Sequence, residues 1–163
     1  MNPKFKALII GLAFAIPSIQ SQAATATSVM AVSATVLTAC VVVATPLTFG
    51  SYDTTAGAVD ASATVNVTCT GGANYTIALD TGAGTGAIFA SRKMTSGLNL
   101  LNYSVYSDTT HATVWGDGTL GSSVVSGTGS LGTVSHTAYG RIAGSQAVNA
   151  GVYADVVTVT LNY

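Results

Sequence analysis

The sequence predicts an all-β protein with a single antiparallel β-sandwich domain. Short runs in which apolar and polar residues alternate recur along the chain, and Gly, Asp, Asn and Ser turns separate them. Alternation with a period of two places the apolar side chains on one face of a strand. No helical pattern longer than two turns appears after the first 23 residues. Seven or so short strands with frequent turns are typical of an immunoglobulin-type sandwich.

The first 23 residues have the composition of a secretory signal peptide. Lys4 and Lys6 precede an apolar run, Ala7 to Ile16, that is too short to span a bilayer. Ser21-Gln22-Ala23 has the small-x-small pattern of a cleavage site, so we expect the mature chain to begin at Ala24. An uncleaved membrane anchor is the alternative, although no second apolar run or stop-transfer cluster of charges follows.

The segment from Ala24 to Val43 lacks Gly, Pro and charge, and it is longer than an ordinary sandwich strand. We expect it to consist of two pieces. The second piece, around Ala34 to Val43, is predicted to be the first strand of the domain and to carry Cys40. The first piece, around Thr25 to Ser33, is predicted to be an extra strand without a partner in its own domain. One long bent strand or a disordered tail is the alternative.

Cys40 and Cys69 are the only cysteines. In an exported chain two cysteines most simply form one disulfide. Such a bond would stabilise the fold by roughly 3–4 kcal/mol in the chain-entropy model. A redox or metal pair is the alternative, but the spacing is too long for a CxxC motif and no His cluster accompanies the pair.

The middle of the chain holds the clearest strands. Ala61 to Cys69 is the most regular half-buried strand, and its alternation points Cys69 into the core. The runs that continue the pattern are Tyr75 to Leu79, Leu101 to Val105 and the less regular Val134 to Ile142.

The last residues form a strand with a regular apolar face. Its apolar residues are Val157, Val159, Leu161 and Tyr163, and they alternate with polar ones. The sequence ends there, so we expect this strand to be a sheet edge. Neither Lys nor Pro, which commonly protect an edge strand, appears after Asp155. A bare apolar edge of this kind predicts pairing with a segment of another chain.

The expected mature chain is poor in charge. Its basic residues are Arg92, Lys93 and Arg141, against six Asp and no Glu. This composition excludes the basic face that nucleic acid requires. The surface must consist largely of Thr, Ser, Asn and Gly, which favours an extracellular fibre or wall component and leaves few charges to oppose packing between copies.

Seven short motifs follow one another across nearly the whole mature chain. They are Ser33-Ala34-Thr35-Val36 before Cys40, Leu47-Thr48-Phe49-Gly50, Val65-Asn66-Val67-Thr68-Cys69, Leu101-Asn102-Tyr103-Ser104-Val105-Tyr106, Trp115-Gly116-Asp117-Gly118-Thr119, Tyr139-Gly140-Arg141-Ile142 and Gly151-Val152-Tyr153-Ala154-Asp155. This ordered set resembles the spore coat protein U-type domain family, which includes pilins of archaic chaperone–usher pili.

The resemblance implies one incomplete immunoglobulin-like sandwich that lacks its last strand. It divides the chain into a signal peptide (1–23), a donor-strand extension (24–33) and a pilin domain (34–163). It also implies that a periplasmic chaperone fills the gap first, and that the extension of the next subunit then replaces the chaperone at an outer-membrane usher. The Cys40–Cys69 bond matches the disulfide of the family.

The resemblance also assigns residues to the two sides of this contact. The donor side chains would be Ala26, Ser28, Met30 and Val32. The acceptor edge would be Val157, Val159, Leu161 and Tyr163. A rival donor register uses Thr27, Val29 and Ala31, but the even-numbered set shares a face with Val36 and Cys40.

The implied function is that of a structural subunit of a secreted surface pilus, which polymerises by donor-strand complementation in adhesion and biofilm formation. The expected partners are further copies, other pilus subunits, the chaperone and the usher, with no nucleic acid and no cofactor. One domain suits a shaft or adaptor subunit better than a tip adhesin. The alternatives are a spore or cell-surface coat protein and a monomeric secreted sugar-binding sandwich.

An enzyme is not expected, because no convergent set of titratable groups is visible. The GxGxxG match at residues 127–132 precedes strand-like residues, not the helix that a dinucleotide site needs. His111 and His136 lack the pattern of a catalytic triad, and no metal site is predicted. Trp115 is predicted to pack in the core and not to form a carbohydrate platform.

Overall fold

The structure is a computed structural model that describes residues 22–163, and the chain divides into two units between Ala34 and Thr35. In the first unit, residues 22–34 are exposed and form neither helix nor strand. The second unit, residues 35–163, carries all the strands of the described chain. Within residues 22–163 no helix is long and apolar enough to cross a membrane. Most of the expected signal peptide lies outside the described residues.

The described chain contains eight strands. They are β1 (Cys40–Ala44), β2 (Val59–Cys69), β3 (Asn74–Leu79), β4 (Arg92–Ser96), β5 (Asn99–Tyr106), β6 (Val125–Thr128), β7 (Thr133–Ile142) and β8 (Val159–Asn162). Every second side chain is buried from Ala63 to Cys69 in β2, from Tyr75 to Leu79 in β3 and from Leu101 to Val105 in β5, in keeping with the predicted alternation.

The strands form two sheets, and every pair is antiparallel. The larger sheet has the order β1-β2-β7-β5-β4, and the smaller has the order β6-β3-β8. The longest ladder joins β2 to β7, from the pair Val59 and Ile142 to the pair Thr68 and Thr133. This arrangement confirms the predicted all-β antiparallel sandwich.

Side chains from both sheets meet in one core. Ile77 of β3 and Ile142 of β7 are fully buried, as is Trp115 in the loop between β5 and β6. The Trp115 indole Nε1 donates a hydrogen bond to the backbone oxygen of Ile77 at 3.0 Å. The prediction that Trp115 packs in the core is therefore confirmed.

The first strand is shorter than predicted, because it begins at Cys40 and not at Ala34. Its ladder partner β2 ends at Cys69, and the chain then turns, so the residues before Cys40 have no β2 residue to pair with. The last link is a bond from the Thr70 amide to the Ala39 carbonyl at 2.9 Å.

Candidate functional site

An open groove of 1210 Å³ lies between the two sheets. One wall is formed by residues 46–54, which follow β1, and the other by residues 148–159, which lead into β8. The floor is mostly apolar, and its side chains come from β4, β5 and β7: Met94, Leu101, Tyr103, Val105, Ala138 and Ile142. A concave, largely apolar surface of this kind suits an apolar occupant.

Leu47 and Phe49 form the first wall and rest on Gly140 in β7. A Cβ atom at position 140 would lie 2.7 Å from Leu47 Cδ2 and 2.8 Å from Phe49 Cζ. Leu47 and Phe49 can therefore pack here only because residue 140 has no side chain. The Phe49 ring also meets the edge of Tyr103, with 5.9 Å between ring centroids. The sequence placed Leu47 and Phe49 in a family motif but did not assign them to the groove.

The second wall continues into β8, whose outer edge pairs with no strand in residues 22–163. In an antiparallel ladder alternate residues bond to a given neighbour. The Thr158 carbonyl accepts a bond from the Asp80 amide at 3.1 Å. Even-numbered residues of this run therefore face β3, and the main-chain groups of Val157, Val159 and Leu161 face the open side.

The four residues expected at the acceptor edge occupy different places. Val157 and Val159 are half-buried and line the groove. Leu161 packs against the core outside the groove, and the Tyr163 side chain is 61% exposed. The geometry thus brings two of the four into the groove.

The residues expected to donate a strand all lie in the first unit. Ala26 and Ser28 are exposed, and the side chains of Met30 and Val32 are 84% and 87% exposed. Val29, in the rival register, is 97% exposed. Both registers therefore present unburied apolar side chains.

Cys40 and Cys69 form the predicted disulfide. It joins the first residue of β1 to the last residue of β2, and the two are also ladder partners. The point at which the N-terminal residues enter the sandwich is therefore fixed covalently.

Arg92, at the start of β4, is fully buried beside the groove. Its guanidinium donates to three backbone oxygens: Nε to Asp80 at 2.9 Å, Nη1 to Phe89 at 3.1 Å and Nη2 to Trp115 at 2.8 Å. Burial lowers the pKa of Arg92. This role could not be predicted from the sequence, because the acceptors are main-chain oxygens.

Asp155 lies where the chain crosses from the larger sheet to β8. Just before it, Ala154 bridges to Thr95 of β4, with N to O distances of 2.8 and 3.1 Å. Asp155 Oδ2 accepts a bond from Tyr103 Oη at 2.8 Å, and Oδ1 accepts one from the Ala83 amide at 2.8 Å. Burial, together with the bond to Asp155, raises the pKa of Tyr103.

Asp80, the residue after β3, bonds to the same segment that crosses to β8. Its Oδ1 accepts bonds from the amides of Gly82 and Thr158, both at 2.9 Å. Burial alone would raise the pKa of Asp80, but these bonds and the charge of Arg92 lower it. Asp80, Arg92, Tyr103 and Asp155 are called the polar corner below.

The two histidines take part in no catalytic arrangement that the described chain shows. His136 Nε2 lies 2.8 Å from Tyr75 Oη in the interior, and His111 Nε2 lies 3.8 Å from Asp60 Oδ1. Residues 22–163 hold no group of three His, Cys, Asp or Glu side chains that could bind a metal ion. The glycine-rich run at 127–132 leads into β7, so a strand and not a helix follows it.

The fold is similar to that of a chain in a known crystal structure. That structure is the CsuC–CsuE chaperone–tip adhesion subunit pre-assembly complex from archaic chaperone–usher Csu pili of Acinetobacter baumannii. The TM-score is 0.59 at 21% sequence identity, and the match covers 79% of this chain and 40% of that chain. No curated protein matches the sequence. The Spore Coat Protein U domain model matches residues 26–160, and the chain therefore belongs to that family.

Proposed function

We propose that this protein is a structural, non-catalytic subunit of an exported surface pilus, which polymerises by donating its N-terminal segment to the groove of another subunit. One observation carries the proposal. The chain combines an open apolar groove beside an unpaired β8 edge with a separate exposed apolar stretch around Met30 and Val32. Family membership and the likeness to a chain of a chaperone–subunit complex support it.

Strand donation would pair the open main-chain edge of β8 and would bury the exposed apolar side chains of the N-terminal segment. A strand beside β8 would bond to the outward main-chain groups of Val157, Val159 and Leu161, at about 1 kcal/mol for each hydrogen bond. Burying the side chains of Met30 and Val32 would add roughly 1.5–3 kcal/mol each. Ordering the free segment has an entropic cost that opposes these gains.

The proposal includes the expected partners and location. A periplasmic chaperone would cover the groove before assembly, an outer-membrane usher would export the subunits, and the fibre would lie on the cell surface. The fibre would serve adhesion and biofilm formation. The buried position of Trp115 argues against the monomeric sugar-binding alternative, because a buried ring cannot form a platform.

The test compares the two faces of the donor segment. One variant carries Met30→Asp and Val32→Asp, and the matched variant carries Val29→Asp and Ala31→Asp. Both add two carboxylates to the same exposed segment. We expect the first to abolish, and the second to preserve, the protein ladders that resist SDS until heating and the filaments seen by electron microscopy.

The other outcomes are also decisive. Loss of fibres only in the second variant would support strand donation in the rival register. Normal fibres from both variants, or a wild-type protein that stays a stable monomer without a chaperone, would contradict the proposal.

A coat protein is the second candidate, because the description of the family names a spore coat. Electron microscopy of cells separates the two functions. A continuous surface layer without filaments, retained in the Met30 and Val32 variant, would favour the coat.

A further inference from the structure

Residues 155–158, which lead into β8, have few regular strand contacts that would keep them extended. Strand β3 ends at Leu79, while the groove wall extends back from Val159 to residue 148. Residues 155–158 therefore lie beyond the end of β3. Their outer edge pairs with no strand in the described chain.

Asp80 extends the ladder past the end of β3. Its amide donates to the Thr158 carbonyl at 3.1 Å, and its Oδ1 accepts from the Thr158 amide at 2.9 Å. The carboxylate thus takes the place of a backbone acceptor. Thr158 is held by a complete pair of hydrogen bonds although no regular strand lies beside it.

Asp155 fixes the start of the same run. It bonds to Tyr103 on the groove floor and to the Ala83 amide. The close approach of the 80–84 loop requires glycine at 82, which has a φ of +82° and whose missing Cβ would collide with the Asp155 carboxylate. Buried Arg92 ties this loop to the core through the Asp80 carbonyl.

We propose that the polar corner is a positioning device for strand acceptance: it holds residues 155–158 as an extended edge on which Thr25 to Ser33 of a second copy docks. This inference rests on the proposed function. The occupant pairs with the outward main-chain groups of Val157, Val159 and Leu161. An edge that is ordered before docking spares the entropy of ordering it during docking.

Asp155→Asn tests the inference, because it keeps the shape of the side chain but removes its charge and replaces one of the two acceptor oxygens with an NH2 donor, so that Tyr103 and the Ala83 amide can no longer both donate to it. Tyr103→Phe is the second variant and removes only the hydroxyl group that bonds to Asp155. Asp117→Asn is the matched control, since Asp117 also accepts an amide bond, from Thr119 at 2.9 Å, but does not line the groove.

The measurement is hydrogen–deuterium exchange of assembled fibres. A positioning role predicts that amides in residues 25–33 and 157–161 exchange at least about tenfold faster in Asp155→Asn. Tyr103→Phe should also make the amides of residues 25–33 and 157–161 exchange faster. Amides of β2 and β7 should keep the wild-type rate in both variants, and Asp117→Asn should behave as wild type.

Other results would overturn the inference, and they distinguish its failure from failure of the proposed function. Unchanged exchange in both corner variants, or faster exchange spread evenly over β2 and β7, shows that the corner has no specific role in acceptance. Either result leaves the proposed function intact. If wild-type protein forms no fibres, the proposed function fails, and the inference fails with it.

Discussion

His136 of β7 and Tyr75 of β3 join the two sheets inside the sandwich. His136 Nε2 and Tyr75 Oη are 2.8 Å apart, and the two rings meet edge to face with 5.8 Å between centroids. Tyr75 also lies against Gly127 of β6, where any side chain would collide with its ring. This contact links three strands through one buried phenol and one partly buried imidazole.

Mild acid is expected to destabilise the domain through His136. Burial lowers its pKa below the ordinary value of about 6.5. The unfolded chain therefore binds the proton first, so stability that is present above about pH 6.5 is lost as the pH falls through the folded-state pKa.

Urea unfolding at about pH 7.5 and about pH 5 measures this loss. His136→Gln should remove the difference between the two conditions, whereas His111→Gln should keep it. A pH dependence that persists unchanged in His136→Gln would assign the effect to another group.

Removing the disulfide is expected to cost about 3–4 kcal/mol of unfolding free energy. Cys40 and Cys69 are separated by 29 positions, so their bond closes a long loop in the unfolded chain. The double variant Cys40→Ser and Cys69→Ser should match the wild-type protein in excess reductant. Equal urea midpoints for oxidised and reduced wild-type protein would refute this expectation.

Gly140→Ala is expected to destabilise the domain by about 1–3 kcal/mol, because the new methyl group displaces Leu47 and Phe49 from the groove wall. Gly57→Ala is the matched control. A Cβ at position 57 meets no atom within 4 Å, so its effect should stay within about 0.5 kcal/mol. Thermal unfolding of both variants makes the comparison. Similar melting temperatures would show that Leu47 and Phe49 can shift to accommodate the methyl group without loss of stability.

Arg92→Met is expected to cost about 3 kcal/mol or more, since two buried carbonyl oxygens and one partly buried carbonyl oxygen lose their donor. Lys93→Met is the control on the neighbouring, partly exposed position. Chemical denaturation of the two variants tests the difference. A stable Arg92→Met protein would mean that the loop from 80 to 91 finds other donors.

The sequence predicted those parts of the fold that depend on local patterns. Alternation in Ala61 to Cys69 identified β2 and its buried face, since a period of two needs no knowledge of the partner strand. The disulfide could also be predicted from the sequence, because the chain contains only two cysteines. The alternation in the last residues likewise gave the expectation of an open edge, and the family resemblance supplied the missing last strand and the assignment of a donor segment.

The remaining features depend on contacts between distant residues. Nothing local shows that Phe49 rests on Gly140, or that Asp80 acts as a ladder partner for Thr158. The burial of Arg92 could not be predicted, because its partners are carbonyl oxygens that every residue possesses. The end of β2 at Cys69 sets the start of β1, so the length of β1 could not be derived from residues 34–44 alone.

The bond between Cys40 and Cys69 has a mechanical consequence. A strand at the margin of a sheet separates easily when it is peeled from its end, because its hydrogen bonds then break one at a time. A pull that reaches Cys40 from the residues before it passes through two sulfur atoms into β2, which has neighbours on both sides. The outermost strand is thereby shielded from unzipping, because the load enters a strand that is hydrogen-bonded on both sides.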